Sequence, residues 1–261
     1  MSKNSSALKL GLVTYNLAKA WDIDTIIKNC TETGFECVEL RTTHAHGVEV
    51  GLSELERADV RKKFADSAVN LVSLGSAFEY HQTDPAEVHQ HVEGTTQYAD
   101  LAKDVGATGI KVRPNGLQIE AGIPEDKTLE QIGLALKECA DYAAGVGIKI
   151  RLEVHGRETM RVPRMRKILD YADSDNLYLC WNCNQQDLED GGLESNFNLV
   201  RERIEFVHMR DLSLAEYPWS QFLGLLADSG YDGYCCAEIA ESPDPVRLMH
   251  YYRALFDAYR P

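Results

Sequence analysis

The stretch IKIRLEVHG, residues 148–156, decides the fold, because it is a short apolar run that ends in chemically active side chains. Its length, its β-branched residues and the glycines on either side are typical of a buried β-strand. The end of the run carries a carboxylate, Glu153, and an imidazole, His155. The rest of the chain shows whether other strands end in the same way.

Seven further apolar runs alternate with helical segments along the chain. The eight strand candidates lie at 8–16, 35–42, 70–78, 109–114, 148–156, 176–182, 204–211 and 233–240. The segments between them have helical periodicity, and the pairs Asp84–Pro85 and Ser242–Pro243 predict two helix starts. Eight strand–helix units are typical of a parallel (β/α)8 TIM barrel, which we predict as one α/β domain over residues 1–261. A doubly wound open sheet is the alternative, but no GxGxxG turn follows the first strand.

The composition argues against several classes of protein. The formal net charge is −14 and Lys and Arg form no block, so we expect no nucleic-acid partner. The chain has neither a run of 18 apolar residues nor an apolar signal segment at its start, which predicts a cytoplasmic protein without a membrane span. Its seven cysteines are odd in number, and three lie in apolar runs, so no disulfide framework is indicated.

The last four strand candidates each end in a side chain that can bind a metal ion. These side chains are separated by 29, 26 and 30 positions, one strand–helix unit each time: Glu153, Asn182, His208 and Glu238. Because the carboxyl ends of barrel strands meet at one mouth, we expect the four to converge. Any one of them alone could simply pair with a neighbour. Together, two carboxylates, an imidazole and an amide oxygen suit a divalent cation such as Mn, Mg, Co or Zn.

These strands carry a resemblance to a known family. LEVHG with Glu153, HMRD with His208 and AEIAES with Glu238 resemble the xylose isomerase-like TIM-barrel superfamily, the sugar phosphate isomerase/epimerase group, over about residues 8–258. The resemblance implies metal ligands at these positions, a divalent metal cofactor and a small sugar or keto-sugar substrate. Where the family has an aspartate as fourth ligand the chain has Asn182, and where it often has a substrate-binding histidine the chain has Gln185. Because members of this family often form dimers or tetramers, the resemblance also implies a homo-oligomer.

The resemblance also implies how the site works. Glu153 and Glu238 are predicted to exchange a proton with the carbon next to a carbonyl group, through an enediolate, one acting as base and the other as acid. Further substrate contacts are predicted from neighbouring strand ends, for hydroxyls, a carboxylate or a phosphate: Lys111, Arg113, His155 and Arg210. Each of these could equally be a solvated or paired charge at the rim.

Three alternatives stay open at this point. A keto-sugar lyase or dehydratase shares the first proton removal, and a non-catalytic sugar-binding barrel would fit the changes at Asn182 and Gln185. A DNA-repair endonuclease of the same superfamily needs a histidine-rich zinc cluster and a basic groove, which the acidic balance argues against.

The CxxC of Cys180 and Cys183 places the two thiols on opposite faces of a strand, which argues against a redox or zinc pair.

Overall fold

The computed structural model describes residues 8–261 and shows eight parallel strands in one closed barrel, in which β1 also pairs with β8. The strands are β1 (Lys9–Val13), β2 (Cys37–Arg41), β3 (Asn70–Gly75), β4 (Gly109–Val112), β5 (Lys149–Glu153), β6 (Leu177–Asn182), β7 (Ile204–Met209) and β8 (Tyr234–Ala237). The predicted (β/α)8 barrel is therefore confirmed. The prediction of one domain over residues 1–261 stays a prediction, and residues 1–7 lie outside the described residues.

Helices connect successive strands around the barrel. They are α1 (Ile23–Thr33), α2 (Glu54–Ala65), α3 (Pro85–Val105), α4 (Glu125–Val146), α5 (Val162–Ala172), α6 (Leu193–Val200), α7 (Trp219–Asp228) and α8 (Pro245–Tyr259). Asp84 begins α3 as predicted, because its side chain accepts a hydrogen bond from the Ala86 amide. The predicted start of α8 at Ser242 is wrong by two residues, because Asp244 accepts from the Arg247 amide and Pro245 takes the first helical position. Within residues 8–261, no helix combines the length and the hydropathy that crossing a bilayer requires.

Several strands are shorter than the apolar runs that predicted them. The run 233–240 yields only Tyr234–Ala237, and the run 8–16 yields Lys9–Val13. The residues beyond each strand form the rim of the barrel, where the chain turns away from the sheet. Glu238 lies at this point, one residue past β8, and its amide still donates to the carbonyl oxygen of Met209.

A second, smaller group of buried apolar side chains lies inside the barrel. A buried cluster of Val13, Val72, Phe206 and three cysteines lies inside the barrel, apart from the larger core between strands and helices. Gly11 lies between the thiols of Cys37 and Cys236, whose sulfur atoms are 3.6 Å apart. A Cβ atom at Gly11 would come within 2.5 Å of the Cys236 sulfur and closer still to that of Cys37. Glycine at this position is therefore a packing requirement.

We expect Gly11→Ala to lower the free energy of unfolding by about 1–3 kcal/mol, because the added methyl group overpacks the barrel interior. Urea denaturation measures the change. The matched control is Gly145→Ala in α4, where a Cβ would meet nothing within 4 Å. This control should be about 0.5–1 kcal/mol more stable than the native protein, since alanine favours helix. Equal stabilities of the two variants would contradict the packing argument.

Candidate active site

The upper end of the barrel interior is a layer of charged and polar side chains. Alternation along each strand turns these side chains inward. Five come from strands and the sixth from the residue after β8: Glu39 (β2), Lys111 (β4), Glu153 (β5), Asn182 (β6), His208 (β7) and Glu238. The first five are buried, and the Glu238 side chain is 18% exposed. The layer forms the floor of the barrel mouth.

The four predicted metal ligands lie together in this layer. Glu153, His208 and Glu238 each offer one ligand atom within 4.8 Å of the other two. The Asn182 amide nitrogen donates to Glu153 Oε1 at 2.9 Å, which leaves the Asn182 side-chain oxygen without a hydrogen-bond partner among the described residues. His208 Nδ1 likewise has no hydrogen-bond partner within residues 8–261. Two carboxylates, an unmatched imidazole nitrogen and an unmatched amide oxygen fit a divalent ion.

His208 is the centre of the layer. Its Nε2 atom lies 3.2 Å from Glu39 Oε1, and its Nδ1 atom lies 3.5 Å from Glu153 Oε1 and 3.8 Å from Glu238 Oε2. Glu39 thus places a carboxylate beside the imidazole ring from across the barrel. The sequence did not assign this role to Glu39. The signal was present, however, as a carboxylate inside the apolar run FECVELRT.

Lys111 lies against Glu153. The lysine Nζ atom forms an ion pair with Glu153 Oε2 at 2.8 Å, and the two side chains are only 4% and 3% exposed. Burial opposes ionisation of Glu153, but Lys111 and His208 outweigh it and hold the pKa of that carboxyl well below its ordinary value. Burial raises the pKa of Glu238, and His208 offsets only part of that effect. The two carboxyls therefore differ in their tendency to carry a proton.

A hydrogen-bonded chain orients His155 at the rim. The Asn115 amide nitrogen donates to Glu79 Oε1 at 2.6 Å, so the Asn115 side-chain oxygen must accept from His155 Nδ1, which lies 2.7 Å away. Burial lowers the pKa of His155, and a neutral ring that donates from Nδ1 has an unprotonated Nε2. Arg113 donates to the same Glu79 oxygen at 2.6 Å, so Arg113 is a paired charge as well as a lining residue.

A cavity of about 470 Å³ lies above the polar layer. Its volume suits a sugar-sized ligand. Most predicted site residues line it: Lys111, Arg113, Glu153, His155, Asn182, Arg210 and Glu238. Two further arginines, Arg41 and Arg157, also line the cavity. Gln185 is not among the residues that line this cavity. It is exposed, and its side-chain amide donates to the Glu216 carbonyl oxygen at 3.3 Å.

A buried carboxyl group, Asp187, holds the loop after β6. Its Oδ2 atom accepts from the Asn184 amide at 2.9 Å and from the Tyr217 hydroxyl at 2.8 Å, while Oδ1 has no hydrogen-bond partner among the described residues. Tyr217 also accepts from the indole nitrogen of Trp181, whose ring packs against Phe222 of α7. Burial raises the pKa of Asp187 to about 7. No pattern in the sequence singles out this residue.

Comparisons with known proteins agree with this architecture. A family model described as xylose isomerase-like TIM barrel matches residues 27–255. The fold is similar to that of L-ribulose 3-epimerase, with a TM-score of 0.79 and 17% identity over 97% of this chain and 95% of that chain. It is also similar to that of the apo 3-keto-D-glucoside 4-epimerase YcjR from E. coli, with a TM-score of 0.78 and 15% identity over 96% and 99% of the two chains.

A third similar structure is that of the IolI protein with a bound zinc atom, with a TM-score of 0.74 and 16% identity over 96% of each chain. At identities this low, the likeness shows the fold alone. A comparison of the sequence with curated proteins gives no match.

The buried carboxyl group of Asp187 predicts a pH-dependent stability. Because its pKa of about 7 in the folded protein lies above the ordinary value of 3.8, the folded state holds this proton more tightly than the unfolded state. Stability from this group is therefore complete below pH 4 and is lost as the pH rises towards 7. We expect Asp187→Asn to gain stability relative to the native protein by up to about 1.4 kcal/mol per pH unit between pH 5 and 7.

Urea denaturation of both proteins between pH 5 and 8 measures this difference. The control is Asp190→Asn, because hydrogen bonding to Arg161 lowers the pKa of the exposed Asp190, which is therefore ionised in both states above pH 5. Its difference from the native protein should be constant over this range. A constant difference for Asp187→Asn would show that Asp187 does not hold a proton in the folded protein.

Proposed function

The chain belongs to the xylose isomerase-like TIM-barrel family, and we propose that it is a sugar isomerase or epimerase that transfers a proton through an enediolate. The observation that carries the proposal is the position of Glu153 and Glu238. Their carboxylate oxygens lie within 4.8 Å of each other and of His208, on the floor of a cavity that suits a sugar. Isomerases and epimerases both need two groups that can exchange a proton with adjacent or opposite positions of one substrate.

In the proposed reaction, one of the two glutamates removes the proton from the carbon next to the substrate carbonyl, and the other acts as the acid. Lys111, His155, Arg113 and Arg210 are proposed to bind the substrate oxygens, since all four line the cavity. Arg210 has no carboxylate partner among the described residues and donates to the Asn184 side-chain oxygen at 2.6 Å. Gln185 lies outside the cavity lining, so its predicted contact with substrate stays a prediction.

The donor set supports a metal-dependent form of this reaction. Glu153, Asn182, His208 and Glu238 would hold a divalent ion of the Mn, Mg, Co or Zn kind. Such an ion supplies positive charge that stabilises the negative charge developing on a substrate oxygen. The zinc atom in the similar IolI structure supports this cofactor class. A cytoplasmic location and a homo-oligomeric state stay predictions.

Two of the similar structures support the substrate class. They are described as epimerases of L-ribulose and of a 3-keto-D-glucoside, which are both keto sugars. We therefore propose a ketose or keto-glycoside as the substrate.

Solvent deuterium exchange tests the proposed function. The protein is incubated in D₂O, with added Mn²⁺, with a panel of ketoses, inososes and 3-keto-glycosides, and the carbon next to the carbonyl is followed by NMR. We expect deuterium to enter at that carbon together with isomerisation or epimerisation. Exchange followed by loss of a hydroxyl group or a glycosidic oxygen would show a lyase instead. No exchange with any member of the panel would contradict a proton-transfer enzyme for these substrates.

The same assay tests the two glutamates. We expect Glu153→Gln and Glu238→Gln each to lower turnover by about 10²–10⁴-fold, because an amide cannot take or give the proton. Thermal unfolding should show that both variants keep the fold. The matched control is Glu241→Gln, since Glu241 is 71% exposed at the rim and, within residues 8–261, has an ion pair with Lys19 alone. Native turnover in either variant would remove that glutamate from the catalytic pair.

A further inference from the structure

Lys111 has an unusual position for a lysine. Its side chain is 4% exposed, and its Nζ atom pairs with Glu153 Oε2 at 2.8 Å and donates to the Ser76 carbonyl at 3.2 Å. Burying an ammonium group is costly unless it is paired. The ion pair with Glu153 compensates this cost. Lys111 is therefore a fixed positive charge inside the layer of metal-ligand side chains.

Glu153 has an ion-pair partner at one carboxylate oxygen and a hydrogen-bond donor at the other. Oε2 faces the ammonium group of Lys111, and Oε1 accepts from the Asn182 amide nitrogen at 2.9 Å. A buried carboxylate with these two partners needs no metal ion to hold its position or its charge. The site atoms without a hydrogen-bond partner among the described residues are the Asn182 side-chain oxygen, both ring nitrogens of His208, both Glu39 carboxylate oxygens and Glu153 Oε2, whose contact with Lys111 is an ion pair.

A charge count shows what this arrangement means for a divalent ion. Three carboxylates lie in the layer, those of Glu39, Glu153 and Glu238. The ammonium group of Lys111 cancels one of their charges, and neither the amide of Asn182 nor the imidazole of His208, which binds a metal ion in its neutral form, adds a negative charge. Affinity for divalent ions rises with the negative charge of the ligand set, and a like charge a few ångströms from a ligand oxygen opposes a dication.

We propose that Lys111 supplies the positive charge of this site. Its ammonium group holds Glu153 in place without a metal ion and makes the site bind divalent ions weakly. Lys111 lines the cavity and has one N–H beyond those used by Glu153 and Ser76. That N–H donates to a substrate oxygen, a contact that rests on the proposed function. The charge role of Lys111 does not rest on it.

Titration of the purified, metal-free protein with Mn²⁺ by calorimetry tests the charge role without any substrate. We expect Lys111→Met to bind Mn²⁺ at least about tenfold more tightly than the native protein, because the repelling charge is gone. Lys111→Arg is the control, since it keeps the charge and should bind as weakly as the native protein. Equal or weaker Mn²⁺ binding by Lys111→Met would overturn the proposal.

Thermal unfolding of the native protein, with Mn²⁺ and with a chelator, tests whether the site needs a metal ion, even where Lys111→Met fails to fold. The unfolding temperatures should agree within about 1 °C, because the arrangement does not need the ion. A decrease of about 5 °C or more with chelator would overturn the proposal. In Lys111→Met, Mn²⁺ should raise the unfolding temperature, because Glu153 then lacks its cation.

These measurements are independent of the deuterium-exchange assay. A protein that shows no exchange can still show the predicted Mn²⁺ affinities, so failure of the proposed reaction is distinguishable from failure of the charge role. In a protein that does exchange, Lys111→Met should lower kcat more than it raises KM, and Lys111→Arg should recover part of the loss.

Discussion

The burial of several charges at one end of a closed barrel is the constraint on which the rest of this structure depends. Uncompensated carboxylates inside a protein are costly, so each must face a cation or a hydrogen-bond donor. Glu39 and Glu153 both face His208, and Glu153 also faces Lys111. Because one imidazole ring is shared by three carboxylates, no member of the layer has a position that is independent of the others.

The backbone-determined part of this layer could be predicted from the sequence. Alternation along a strand gives the face on which a side chain lies, and the spacing of about 30 residues gives one strand end for each polar residue. Those two regularities placed Glu153, Asn182, His208 and Glu238 together, and the structure brings them within reach of one another. They follow from covalent geometry and closed topology, so they do not depend on side-chain packing.

The choice of partner within the layer could not be predicted. Glu39 reaches His208 across the barrel, between strands that are not neighbours in the sheet, and a register shift at Val38/Glu39 affects its height. Asp187 lies buried in a loop whose contacts, from Tyr217 and the Asn184 amide, depend on a distant segment. Gln185 also depends on a distant segment, because it is exposed after β6 and its side-chain amide donates to the carbonyl oxygen of Glu216.

Asn182 links the predictable and unpredictable parts of the site. An amide has a donor and an acceptor, so Asn182 can donate to Glu153 while its oxygen stays free. A carboxylate at this position would face Glu153 with like charge at about the same distance, and the pair would need a cation between them. The Asn182 amide and the Lys111 ammonium group therefore have the same effect, because each places a positively polarised group of the protein beside a Glu153 oxygen. A divalent ion at this site would add charge to an arrangement that the side chains already hold, rather than create it.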